Sequence, residues 1–177
     1  MNLIATLLFC GWAEAATLAG VTLPDQATVG GQSLVLNGIG LREKYFFDIY
    51  VGGLYLKTKT TNANDAIQQE APKRIVMHFV RSLDKATLSA TLADSINNSP
   101  QSSALQSELV TFKGWIEDVS SGDEITLDYV PGTGTTVTIK GNQKGVIQGS
   151  TFMTAIWSIF IGPSPASTDL KNGMLGL

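Results

Sequence analysis

The order of secondary-structure signals along the chain predicts an α+β domain, an antiparallel sheet covered by helices on one face. Three observations carry this expectation. Short β-rich runs occupy the first half, two helical patterns follow, and alternating strands then lead into a C-terminal pair of helices. The 177 residues suit one domain able to bury a real core. Only 15% of residues are charged against 44% hydrophobic, and Gly, Ser and Thr make up the difference, as in a strand-rich chain with many turns.

Residues 1–15, MNLIATLLFCGWAEA, read as a secretory signal. An apolar run from Leu3 to Trp12 precedes Ala13-Glu14-Ala15, a small-residue cleavage pattern. At roughly 10 residues the run is too short to span a bilayer, which needs about 20. No Lys or Arg precedes it, so the amino terminus alone supplies its positive charge. A structural N-terminal helix and a lipid anchor on Cys10 are the alternatives, the second opposed by bulky Phe9. The expected product is one exported domain, residues 16–177, periplasmic or secreted. Cleavage would remove Cys10 and Glu14, leaving no thiol for disulfides, metal or catalysis and moving the net charge from −3 to −2.

Strands are expected at 21–23, 27–29, 33–36, 41–47 and 49–56, separated by Pro24, Gly30-Gly31 and Gly38 to Gly40. Residues 74–81, RIVMHFVR, form a short apolar run bounded by Pro72 and Ser82 and read as a buried strand. Ser82 or Asp84 can cap a helix carrying Leu88, Leu92 and Ile96, which Pro100 stops. A second helix from about Ser102 aligns Leu105, Leu109, Phe112 and Ile116 and ends near Gly114. Strands return at 124–130 and 135–140 about the turn Pro131 to Gly134, and again at 145–148. A helix from Ser150 has Phe152, Ile156, Ile159 and Phe160 on its apolar side, and Ser167 starts a short terminal helix through Leu170 and Met174.

Composition removes several function classes. No basic excess is available to neutralise phosphates, so no nucleic-acid partner is expected. No second hydrophobic run reaches membrane-spanning length. His78 is the only histidine, which rules out a His-based triad elsewhere, and no Cys, Asp or Glu stands at ligand spacing beside it. Neither a metal nor a cofactor is expected. His78 reads as a hydrogen-bonded sheet residue that, sharing a face with Val76 and Val80, could also line a cavity. Gly38-Ile39-Gly40 lacks the third glycine and the following helix of a phosphate loop, so turn glycines are the better reading. Gly52-Gly53 inside a strand marks a bulge or a close approach, by a packed helix or by a ligand.

The most polar apolar stretch is 36–56, LNGIGLREKYFFDIYVGGLYL. Arg42, Asp48 and Tyr50 differ by even numbers, so an unbroken strand points all three, with Lys44 and Phe46, to one face. Buried, such groups need partners, which makes them a structural network or a ligand site. Eight residues of strand span about 26 Å, however. Arg42 and Tyr50 can hold one anionic group only if the chain bulges, bends sharply or forms two strands. The plainer alternative is a surface Arg and a core-edge Tyr.

The segment 38–56 resembles the signature of the chalcone isomerase-like superfamily, a Gly-x-Gly-x-Arg element followed by an aromatic strand ending x-Tyr-x-x-Gly-Leu-Tyr-Leu. Residues 75–83 resemble that family's next central strand. Residues 152–175, with Trp157, Gly162, Pro163, Leu170 and Leu175, resemble the C-terminal helices of its bacterial, exported branch. The resemblance implies an open-faced β-sandwich, a large antiparallel sheet with helices layered on one face. Plant enzymes of the family close a flavonoid ring in an apolar cleft where an Arg positions a phenolate. Non-catalytic members bind fatty acids through an Arg and a Tyr. By position Arg42 matches that Arg, Tyr50 matches the Tyr of the binding branch, and Lys73 matches one catalytic Lys. The plant enzymes' catalytic Tyr and second Lys have no counterpart in Ser82-Leu83-Asp84-Lys85-Ala86-Thr87-Leu88.

The resemblance therefore implies a domain that binds a small apolar carboxylate or phenolic ligand, such as a fatty acid, with Arg42 and Tyr50 as anchors and Lys73 as a further candidate. His78 joins them only through its strand parity, which could let it line a cavity. An intramolecular lyase of the chalcone-flavanone type and a ligand-free interaction module are the alternatives.

Overall fold

A computed structural model describes residues 15–97 and 105–177. The expected signal segment with Cys10, and Pro100 and Ser102 between the two middle helices, fall outside these residues, as do the side chains of Leu92 and Ile96. A two-stranded hairpin, β1 (Ala16–Leu18) and β2 (Val21–Leu23), opens the chain. Seven strands then form one antiparallel sheet in which neighbours in sequence are neighbours in space. They are β3 (Gln26–Val29), β4 (Gln32–Lys44), β5 (Phe47–Leu56), β6 (Lys73–Phe79), β7 (Glu124–Val130), β8 (Gly134–Ile139) and β9 (Asn142–Ile147).

The helices are α1 (Ala63–Gln68), α2 (Lys85–Asn97), α3 (Gln106–Trp115), α4 (Thr151–Ile161) and α5 (Thr168–Leu175). Apolar side chains of alternate strand positions, among them Leu54, Ile75, Met77, Phe79, Ile125, Leu127 and Ile139, meet the helices in the main core. The opposite face buries Val51, Tyr55 and Val76 with Val21, Leu23, Leu34 and Leu36 beneath the β1–β2 hairpin. This is the α+β architecture expected from the sequence, a large antiparallel sheet with its helices layered on one side.

Some elements differ from expectation. The segment read as 33–36 and the first part of that read as 41–47 are one strand, β4, which ends at Lys44, with irregularities in register at Leu36/Gly38 and Arg42/Glu43; Tyr45 and Phe46 form a turn and Phe47 begins β5. Gly38 and Gly40 consequently sit mid-strand, not in a turn. A Cβ on Gly38 would strike the Gly173 carbonyl, one on Gly40 the Leu170 carbonyl, and one on Gly173 the Ile39 carbonyl. The α5 backbone rests directly on β4, and only glycine permits that approach. At Gly52 the same helix decides the question, because an added Cβ would press on Leu170.

The helix α1 escaped the sequence reading because it is only six residues long. Its N-cap, Asn62, accepts hydrogen bonds from the Asn64 and Asp65 amides. The helix α4 gathers its polar residues, Thr151, Thr154 and Ser158, on one narrow stripe that is exposed or half-buried. Phe152, Met153, Ala155, Ile156, Trp157, Ile159, Phe160 and Ile161 are all buried, so the apolar side expected from the sequence is present and extends around most of the helix. No helix among the described residues is long and apolar enough to cross a membrane.

Candidate functional site

The strands β4 and β5 join through Tyr45 and Phe46, whose φ values of 50° and 68° are both left-handed. The tight turn reverses the chain and sets Arg42 directly opposite Tyr50 in the ladder. Cross-strand partners lie only about 5 Å apart at Cβ and point to one face. The segment is thus two strands, and the separation that an extended chain imposes disappears. The register irregularity beyond Arg42 also turns Ile49 toward the same side as Tyr50, and both line one cleft.

That cleft lies between the β4–β5 hairpin and the start of α2. Arg42 and Lys44 stand on its strand side, Ile49, Leu83 and Leu88 supply apolar wall, and Thr87 and Thr91 face in from α2. Asp84 holds the helix start in place by accepting from the Thr87 amide at 2.8 Å. The volume is about 40 Å³, room for a few water-sized groups.

Tyr50 is buried and packs edge-on against Phe79, with ring centroids 5.6 Å apart. Burial raises its ionisation above the ordinary phenol range, and the Arg42 charge pulls weakly the other way. The hydroxyl therefore stays a neutral donor, and no described group hydrogen-bonds to it. Arg42 is half-buried and donates to the Glu43 carbonyl at 3.2 Å, with no carboxylate partner among the described residues. No acidic side chain lines the cleft. Two cations and a neutral phenol thus stand around an apolar wall, an arrangement with the chemistry to hold a single anionic group on an apolar body.

Lys73 and His78 lie elsewhere. Phe79 is the β6 partner of Tyr50, and Lys73 is six residues further back, about 20 Å along the strand. Lys73 is fully buried and donates to the Ala66 and Ile67 carbonyls at 3.0 and 2.8 Å, closing the C-terminal end of α1. Its ammonium also lies 5.8 Å from the Tyr129 ring centroid. Burial lowers its pKa from 10.5 to about 8, partly offset by Glu70. His78 is on the sheet face away from the cleft, paired across the ladder with Glu124. Its Nδ1 is 2.9 Å from Glu124 Oε1, and because a carboxylate only accepts, Nδ1 carries the proton. Asp48 faces Glu43 across the ladder, outside the cleft lining. Lys44, a cleft residue, was legible only as a member of the Arg42 face.

A family model described as chalcone isomerase-like matches residues 15–176. The chain belongs to the chalcone isomerase-like family. The signature that resembled this family, residues 38–56, is in three dimensions the hairpin that carries Arg42 and Tyr50. Among solved structures, this chalcone isomerase-like chain is similar to an Arabidopsis thaliana fatty-acid binding protein. The TM-score is 0.72 and the identity 21%, over 92% of this chain and 96% of that one. At that identity the likeness establishes the common fold. No curated protein matches the chain in sequence.

Proposed function

We propose that this chalcone isomerase-like domain is exported and binds a small apolar carboxylate, such as a fatty acid, without transforming it. The observation that carries the reading is the direct pairing of Arg42 with Tyr50 at the mouth of an apolar cleft. The guanidinium supplies a planar pair of donors to a carboxylate, and the neutral phenol supplies a third. The described neighbour being a fatty-acid binding protein supports the same ligand class. An acyl tail is longer than the closed cleft, so binding moves the α2 wall outward along the apolar side chains of Ile49, Leu83 and Leu88.

Native mass spectrometry of protein isolated from its own host tests the reading, with an acyl mass retained on the folded chain as the expected result. Titration with dodecanoate sharpens it. Arg42→Ala removes a charge-assisted contact of about 1.5–3 kcal/mol and should weaken binding ~10- to 150-fold. Tyr50→Phe loses a single donor to the same carboxylate, where the guanidinium loses a pair and a charge, and should weaken it ~10-fold, the lower end of that range. Unchanged affinity in Arg42→Ala would remove the carboxylate anchor. Loss of chalcone absorbance faster than in buffer would instead establish ring-closing activity.

A further inference from the structure

The tip of the β4–β5 hairpin is unlike any other turn among the described residues. Tyr45, Phe46 and Phe47 are consecutive and stand 80%, 101% and 57% exposed. Both central residues have positive φ, at 50° and 68°, a conformation that favours Asn-Gly and that bulky residues rarely adopt. The other tight turns with positive φ keep at least one glycine there, as at Gly30-Gly31, at Ala19-Gly20 and at Lys140-Gly141, whereas Tyr45-Phe46 has none. Nothing within the described chain covers the Tyr45 and Phe46 rings, so neither the strain nor the exposure is repaid inside the fold.

The charges around the tip are sorted by face. Arg42 and Lys44 alternate on the cleft side, and Lys44 Nζ lies 5.7 Å from the Tyr45 ring centroid. Arg81 lies over the Phe47 ring at 4.3 Å. The nearby carboxylates Glu43 and Asp48 face each other one ladder step away, outside the cleft lining. Three aromatic rings ringed by cations match a bilayer interface, where aromatic rings settle at headgroup depth and Lys and Arg meet anionic lipid. A second copy of this chain fits less well, because a two-fold contact through the tip would bring the same three cations together.

We propose that the Tyr45-Phe46-Phe47 tip docks the protein on an anionic phospholipid surface, with the mouth of the Arg42–Tyr50 cleft turned toward the lipid. Resting on the ligand reading above for its purpose, docking lets an apolar acid pass between bilayer and cleft without crossing water. The tip enters only to interfacial depth, since the strands behind it bear Arg42, Glu43, Lys44 and Asp48.

Flotation with vesicles containing phosphatidylglycerol tests the proposal. The wild-type protein should float with them, less so with phosphatidylcholine alone, and less again at high salt. The double variant Tyr45→Asn/Phe46→Gly installs the residues this turn favours, so it should fold with equal or greater thermal stability while losing vesicle affinity at least tenfold. Its affinity for dodecanoate in vesicle-free solution should equal the wild type's, because neither residue lines the cleft. Wild-type protein left in the soluble fraction overturns the proposal, as does a double variant that floats equally well. Sedimentation velocity showing a wild-type dimer that the variant dissolves would make a second copy the occupant and overturn it too. Absence of dodecanoate binding by the wild type, with flotation intact, would instead sink the ligand reading alone.

Discussion

Lys73 is set by the fold well away from Arg42 and Tyr50, against the end of a short helix. The family resemblance makes a lysine ahead of a central strand a candidate for one catalytic Lys; here it is buried against α1 and donates to two helix-terminal carbonyls. Its folded pKa of about 8 lies below the ordinary 10.5 because burial disfavours the ammonium. Between those values the unfolded chain binds more protons than the folded one, so stability rises with pH across that window. Above about pH 10 the trend reverses, because Tyr50 and Tyr55 are held protonated in the fold, Tyr55 up to about 12 through burial. Denaturant unfolding at intervals from pH 7 to 10 should show the rise in the wild type and its loss in Lys73→Met. An unchanged pH slope in that variant would assign the dependence to another group. Arg42 and Tyr50 were legible because polar groups on an apolar strand stand out. The role of Lys73 was not, since its partners are backbone carbonyls of a helix too short to show in the sequence.

The close seating of α5 on β4 depends on glycine at both surfaces. Gly40 and Gly173 each face a carbonyl of the opposing element, Leu170 and Ile39 respectively. Backbone cannot step aside as a side chain does, so Gly40→Ala should cost about 2–3 kcal/mol, at the upper end of overpacking effects. Gly114 is a contrast, exposed in α3 with nothing near its missing Cβ. Gly114→Ala should stabilise by roughly 0.5–1 kcal/mol through helix propensity. Thermal unfolding of the two variants checks both signs, and equal effects would refute the packing account. The Gly-x-Gly spacing itself was plain in the sequence, but a strand glycine under a helix and a turn glycine look alike until the helix position is known. The reversal at Tyr45 and Phe46 was hidden for a related reason. Aromatic residues signal strand, and no Asn or Gly marks the turn.

At the scale of the molecule, the block order of strands and helices was enough to reach the architecture, because a seven-stranded meander pairs each strand with its neighbour in sequence. The cleft was not readable that way, since it depends on where α2 lands against the hairpin. The proposed function nevertheless has a global consequence. A ligand that binds only the folded state adds stability by mass action, about 2.7 kcal/mol at a hundredfold excess over Kd. For a chain of 177 residues each kcal/mol moves Tm by roughly 2–4 °C. Saturating dodecanoate should therefore raise Tm by about 5–11 °C. At the same concentration a variant binding tenfold more weakly forfeits about 1.4 kcal/mol of that gain, so Tyr50→Phe should keep roughly half the shift. Arg42→Ala, weakened ~10- to 150-fold, should keep from about half down to roughly a tenth, whereas Lys73→Met, whose change lies about 20 Å along β6 from the Tyr50 pair, should keep all of it. A full shift surviving in Arg42→Ala would place the bound acid outside the cleft.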